Sequence, residues 1–406
     1  MIYKFKFKFF TILIDKMIDP KEMQQIACNY ETKSHPLGHS LVTIGALGSH
    51  SALDITRGGI DEGFRTLVAC VKGREKTYEH HRFRTRGNDY VGCITEELVL
   101  LDKWKDIVND ENLQKLSKLN TILIPHRSME VYLKYDIIEN QLRIPFLGNR
   151  ELLRWEERTG PYKLEKNQDH LVKEAGLPTP MKFSSPSQID RKVMIKSTIA
   201  IGERDFQRAG GKVSGKSVPF PVVSSPEEYE TRCQELMKRG NTETEQKLIE
   251  KNFRDATIEE YMGDEQGANP GVNLNYFYSV INDETEFMGS DKREQYRNGE
   301  EFIHIPVSLR ESKVQDVLEM GERFVEATKR ICPPGIIGPF ALQTISSNEG
   351  EEMLVYDVSL RIPGSPDTSV TPYTTYKYGK PISFGRRIAQ EIKEAILARR
   401  LKEIVS

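Results

Sequence analysis

The chain has 406 residues, of which 38% are hydrophobic and 29% charged, with a formal net charge of −2. That length predicts two or three domains rather than one, the composition is that of a soluble globular protein, and the charge excludes the basic footprint of a nucleic-acid binder. The five cysteines, Cys28, Cys70, Cys93, Cys233 and Cys332, show no Cys-x-x-Cys spacing, which argues against a zinc or disulfide framework and suits reduced thiols in a cytoplasm.

Residues 1–16, MIYKFKFKFFTILIDK, begin basic and turn apolar. The run is too short and too charged to span a membrane, and it lacks the cleavage site of a signal peptide. It reads either as an added edge strand or as a stretch ahead of a true start at Met17, so residues 1–35 are taken as an N-terminal extension. No other segment approaches a transmembrane span.

Residues 36–150 read as an α/β domain. Apolar runs at 41–47, 66–71, 90–94 and 121–125 suit strands of a mostly parallel sheet, with helices at 51–62 and 104–118 between them. The first strand breaks at Gly48-Ser49-His50, forming a βαβ turn whose amides can cradle a phosphate at a helix N-terminus. Ser49, His50 and Ser51 are therefore candidates for a phosphorylated ligand, although an ordinary turn capped by Ser49 or Ser51 explains the same pattern. The fourth strand ends in Pro125-His126-Arg127-Ser128. Ligands of open α/β sheets bind at carboxyl ends of strands, so His50 and Ser128 can meet over one pocket. Ser128 can equally cap a helix that starts at Met129.

A Gly-Asn turn and an amphipathic helix at 145–158 mark the first boundary. A helix at 166–176 and a strand at 192–196 follow. Within 198–217 lies GGKVSGKS, Gly210 to Ser217, which matches the P-loop string GxxxxGK[ST]. No buried strand precedes it, and Pro219 and Pro221 prevent a following helix. A glycine-rich hairpin loop between 192–196 and 218–223, able to fold Lys216 over phosphates, fits better; a flexible surface loop is the alternative. Ser225, Pro226, two glutamates and Gly240 bound a helix at 225–240. Strands at 257–262 and 272–281 and a helix at 312–330 come next. The strands at 338–345 and 353–360 form an antiparallel pair, and a helix at 384–403 closes the chain.

Gln343 lies on the first strand of that pair. Asp357, Ser359 and Arg361 follow on the second at i, i+2 and i+4, which puts them on one face, with Leu354, Tyr356, Val358 and Leu360 on the other. Asp, Gln and Ser oxygens suit Mg²⁺, and Arg361 suits a phosphate or carboxylate, although a solvated strand face accounts for the same pattern.

The segments GSHSALDITRGGIDEGF, PHRS, FLGNRELLRWE, KEAGLPTP, IEEYM, MGSDKR, CPPGIIGPFALQ and GRRIAQEIKEA occur in order from about residue 36 to the C-terminus. In them the chain resembles the archaeal formate-dependent synthetases of FAICAR, 5-formaminoimidazole-4-carboxamide ribonucleotide. The resemblance implies an ATP-grasp fold, α/β plus α+β: a Rossmann-like ribonucleotide-binding domain (36–150), a small lobe (151–260) and a C-terminal lobe (261–406). It implies a cytoplasmic homo-oligomer that forms a carbon–nitrogen bond, joining formate to the amine of AICAR at the expense of ATP through formyl phosphate, in purine (IMP) biosynthesis. It also implies His50, Ser51, Ser128 and His304 on the ribonucleotide, and Lys196, Lys216, Glu259, Glu260, Tyr261 and Gln295 around ATP. Gln343 and Asp357 would hold Mg²⁺ or Mn²⁺, and Arg361 would be catalytic.

The chain departs from that family in the loop 198–217, in Asp357 where the family has Glu, in Pro363-Gly364-Ser365-Pro366, and in His304 where the family has Asn. Two other readings therefore stay open: an ATP-grasp ligase for another phosphoribosyl or acid substrate, and a non-catalytic nucleotide-binding paralogue. The last requires that Gln343, Asp357 and Arg361 fail to converge with Lys196.

Overall fold

The computed structural model describes residues 17–32, 41–157, 166–196, 221–262, 271–295, 302–346, 352–364 and 366–406. The N-terminal unit contains β1 (Thr43–Leu47), β2 (Arg65–Val71), β3 (Arg84–Arg86), β4 (Asp89–Val91), β5 (Val99–Leu101) and β6 (Thr121–Leu123). Its sheet is parallel in the order β5-β2-β1-β6. Every residue of β1 is buried, as expected of a parallel strand covered on both faces.

The expected strand at 90–94 is not part of this sheet. Gly92 turns the chain at φ +86°, and its backbone approaches the Arg82 carbonyl so closely that a Cβ would lie 2.1 Å from the oxygen. Residues 89–91 instead pair with 84–86 in a separate hairpin, and β5 takes the edge position beside β2. The helix Pro20–Thr32 is built into the fold: Ala27 and Tyr30 enter the core, and Glu31 accepts the Leu401 amide hydrogen at 2.6 Å.

A small antiparallel sheet follows, made of β7 (Lys182–Phe183), β8 (Val193–Lys196), β9 (Val222–Val223) and β10 (Thr257–Glu260) in the order β7-β10-β8-β9. The pairing of β8 with β9 agrees with the expected hairpin; its loop, including Lys216, lies outside the described residues. Two helices cover this sheet. Pro226–Met237 starts at the Ser225 cap, and Glu243–Arg254 starts at a Thr242–Glu245 capping box. Together they enclose a core of their own, with Tyr229, Cys233 and Phe253.

The third sheet contains β11 (Val272–Ser279), β12 (Glu284–Gln295), β13 (Phe302–Pro306), β14 (Gly338–Ser346) and β15 (Met353–Ser359), antiparallel in the order β13-β12-β11-β14-β15. The helix Glu311–Ile331 packs on it through Val317, Met320 and Phe324. A β-bulge corrects the alternation expected for β15. Gln343 faces Asp357, but Thr344 faces Val355, so Tyr356 is the extra residue. The bulge buries Val355 and Val358 in the core and leaves Tyr356 and Asp357 half-buried together.

The C-terminal helix Phe384–Leu397 returns to the first unit and crosses the helix Ala52–Asp61. A Cβ on Gly58 would lie 2.0 Å from the Gly385 carbonyl carbon, and one on Gly385 would lie 2.0 Å from the Asp54 carbonyl oxygen. The Gly385 amide hydrogen is donated to the Asp54 carboxylate at 2.9 Å. One continuous core joins Ile44 and Val68 of the parallel sheet to Phe384, Ile388 and Ile392. Among the described residues no helix is long and apolar enough to cross a membrane.

Candidate active site

The carboxyl end of β1 supplies one end of the candidate site. Gly48 is required there, because a Cβ would lie 2.7 Å from the Cys70 Cβ and 2.8 Å from the Tyr78 ring. His50 follows in the left-handed region at φ +49°. Ser51 occupies the cap position of the next helix, but its side chain does not cap it. Its Oγ hydrogen-bonds His50 Nδ1 at 2.6 Å and orients the ring.

Ser128 lies in the first turn of the helix Arg127–Leu133, and the cap of that helix is His126, not Ser128. His126 Nδ1 accepts the Ser128 amide hydrogen at 3.3 Å, and the His126 ring stacks on His50 with centroids 5.8 Å apart. Burial lowers the His126 pKa to about 3, so this ring is neutral. Desolvation and the nearby Arg361 and Arg127 guanidinium groups hold His50 below its ordinary value too. Sequence reasoning missed His126 as a site residue, although its place at the carboxyl end of β6 was a signal.

Arg361 does not share a strand face with Asp357. β15 ends at Ser359, and the chain then leaves the sheet so that Ile362 bridges to His126. Arg361 is buried between two carboxylates, with Nη2 2.8 Å from Glu156 Oε1 and Nε 3.3 Å from Glu130 Oε1. Arg127 touches the same pair at 2.9 and 3.4 Å. Burial and the adjacent Glu156 push the Glu130 carboxyl up to about 7. Arg361 thus belongs to an ion cluster with Glu130, Glu156 and Arg127.

His304, on β13, comes to the same end from the third sheet. A Cβ built on Gly364 would lie 3.4 Å from His50 Nε2 and 3.5 Å from His304 Nε2, so Gly364 separates the two imidazoles. His304 Nδ1 is 2.6 Å from Asp291 Oδ2.

At the other end of the candidate site, Lys196 closes β8. It is buried, pairs with Glu259 of β10, and places Nζ 4.9 Å from the centre of the Tyr356 ring. Glu260 pairs with Arg191 at 3.5 Å. The amide hydrogens of Glu260 and Tyr261 go to the carbonyls of Met181 and Lys192 at 2.8 and 3.0 Å, which fixes this segment beside Lys196. Gln343 and Asp357 face each other across β14 and β15, next to Tyr356. Tyr356 thus lies over Lys196 and next in the chain to Asp357, the partner of Gln343, while Arg361 lies in the cluster with Glu130 and Glu156. Gln295 ends β12 opposite Phe302; its side chain lies outside the described residues.

No group of three or more His, Cys, Asp or Glu able to hold a metal occurs among the described residues. Gln343 and Asp357 fit an ion that takes two oxygens from the protein and the rest from water and phosphate, as Mg²⁺ does.

A single polar row joins the two ends. Asp291 of β12, Asn273 of β11, Gln343 of β14 and Asp357 of β15 are consecutive cross-strand partners and share one face of the sheet. A Rossmann-like unit, a small antiparallel lobe that carries a buried lysine, and a larger sheet that carries paired oxygen donors define an ATP-grasp protein.

Comparison with known proteins agrees. The model of a protein of unknown function, DUF1246, matches residues 44–183, and that of a domain of unknown function, DUF1297, matches 235–303 and 295–406. The chain is 35% identical to the 5-formaminoimidazole-4-carboxamide-1-(beta)-D-ribofuranosyl 5'-monophosphate synthetase of Methanothermobacter thermautotrophicus, over 90% of this chain and 94% of the relative. It is 34% identical to the protein of that name in Methanocaldococcus jannaschii, over 90% and 95%. The chain belongs to this synthetase family. Among solved structures, an IMP biosynthesis protein PurP from Thermococcus kodakaraensis superposes with a TM-score of 0.61 at 22% identity, covering 89% of this chain and all of that one. An ADP complex of N5-carboxyaminoimidazole ribonucleotide synthetase reaches 0.53 at 13% identity, covering 81% of this chain and 72% of that one.

Proposed function

We propose that this chain is an ATP-dependent ligase that converts AICAR and formate to FAICAR in purine biosynthesis. The single observation that carries the reading is the row Asp291–Asn273–Gln343–Asp357, which links the His50–His304 end to the Lys196–Tyr356 end. With strands about 4.8 Å apart, Asp291 on β12 and Gln343 on β14 stand about 10 Å apart on that face, with Asn273 of β11 between them.

In this reading formate attacks the γ-phosphorus of ATP: an oxygen–phosphorus bond forms and the bond to ADP breaks. The AICAR amine then attacks the formyl carbon of formyl phosphate, and inorganic phosphate leaves. Lys196 receives phosphate oxygens, and the Glu259–Tyr261 segment lies along the nucleotide. His50, Ser51, Ser128 and His126 hold the ribonucleotide, and Arg361 with its two glutamates braces the pocket from behind. Gln343 and Asp357 would hold Mg²⁺ or Mn²⁺, which when bound neutralises charge on the phosphates. Positioning supplies the remainder of the catalysis.

The same reading divides the chain near residues 150 and 260 and places it in the cytoplasm as a homo-oligomer, checked by light scattering. The decisive test is an assay with ATP, Mg²⁺, formate and AICAR that scores FAICAR and ADP together. Stoichiometric FAICAR and ADP are expected. A folded sample that binds AICAR but yields no FAICAR would sink the proposal.

A further inference from the structure

His304 and Asp291 form a dyad that binding alone does not require. The histidine is partly exposed, at 21% of its side chain, and the aspartate is buried, at 3%. The Asp291 carboxylate also accepts hydrogens from Asn273 Nδ2 and Asn275 Nδ2, each at 2.8 Å. Both asparagines are buried, and neither Oδ1 has a hydrogen-bond partner. Their amides are thus turned so that both donors serve Asp291, at the cost of two unpaired acceptors. A carboxylate held this firmly keeps the hydrogen of a neutral His304 on Nδ1 and leaves a lone pair on Nε2. That Nε2 lies beside Gly364, across it from His50. Among the described residues, the charged or titratable groups near it include Asp291 on β12 and, across Gly364, His50 with Arg361 and Arg127 behind it.

We propose that His304, oriented by Asp291, accepts the proton that the AICAR amine loses as it attacks the formyl carbon. The inference rests on the reaction proposed above. An amine conjugated with an imidazole carboxamide is a weak nucleophile. As its nitrogen–carbon bond forms, the nitrogen becomes cationic; His304 Nε2 takes the proton, the carbon–oxygen bond to phosphate breaks, and the uncharged formamide of FAICAR and inorganic phosphate result. His304 is then the base and Asp291 a positioning residue.

The test uses the full chain with His304→Ala and Asp291→Asn, each checked for folding by circular dichroism. AICAR affinity is measured by calorimetry, FAICAR by absorbance, and formyl phosphate, formed with formate and ATP, by hydroxylamine trapping. For His304→Ala, kcat for FAICAR is expected to fall about 100-fold, with AICAR affinity within about threefold and trapping retained. Added imidazole is expected to restore part of the rate in His304→Ala but none in Asp291→Asn, which keeps its ring. A raised KM with unchanged kcat in His304→Ala would make the residue a binding contact and overturn this inference alone. Wild-type protein that forms no FAICAR would overturn the reaction, and this inference with it. If His304→Ala fails to fold, Asp291→Asn decides by the same kcat-against-KM split.

Discussion

Lys196 and Tyr356 come from different sheets and meet face to face, the ammonium 4.9 Å from the ring centre. The contact joins the small lobe to the strand that carries Asp357. It exists because the bulge in β15 turns Tyr356 out of the core. A buried cation over an aromatic ring is stabilised by about 1–2 kcal/mol. Tyr356→Leu should therefore weaken ATP binding about fivefold to tenfold, while Tyr356→Phe stays near wild type. Calorimetric titration with ATP checks both.

Asp357→Asn removes a charge from the Gln343–Asp357 pair, which in the proposed reaction serves the phosphates. Turnover should fall by at least about 100-fold, a loss of the size seen when an electrostatic stabiliser is removed. AICAR affinity should stay within about twofold, since His50, Ser128 and His126 lie at the other end of the row. Loss of AICAR binding in the same variant would contradict the separation of the two ends.

Arg361→Ala leaves Glu130 and Glu156 with Arg127 as their shared guanidinium partner in this cluster. Breaking a buried ion network in this way should cost about 3–5 kcal/mol at neutral pH. Glu130 has a raised folded pKa, so its contribution is present at low pH and is lost as pH rises through about 7. Removing Arg361 moves that carboxyl further up. The destabilisation should therefore be larger at pH 8 than at pH 5.5, as urea melts at the two pH values will show.

His126 has the opposite sign. Its folded pKa is lowered to about 3, so the unfolded chain binds the proton first as the pH drops. Its contribution is intact above about pH 6.5, and by pH 5 the loss approaches about 2 kcal/mol. His126→Gln should flatten the fall in urea midpoint between pH 7 and pH 5. An unchanged slope would mean that the ring protonates in the folded state.

Apolar runs and turn residues made β1, β2, β6, β8, β11, β14 and β15 legible, and Ser225-Pro226 marked its helix start. β12 and β13 were harder to read because their charged and polar residues, Asp291 and His304 among them, face the cleft and break strand alternation. The bulge at Tyr356 was invisible, because it is a register event between two strands. The placement of Arg361 on the Asp357 face was misread because its partners, Glu130 and Glu156, lie more than 200 residues away in the chain. The Thr242–Glu245 box was a start signal that went unread.

The crossing at Gly58 and Gly385 has a mechanical consequence. Two helices whose backbones touch cannot slide or hinge without losing the continuous core beneath them. The parallel sheet with its His50 end and the five-stranded sheet, joined through Phe277 and Met288, therefore form a fixed anvil. The small sheet, with its own separate core, is the hammer. In the proposed reaction, nucleotide exchange is then expected to move the small sheet alone and to leave the His50–His304 end unchanged.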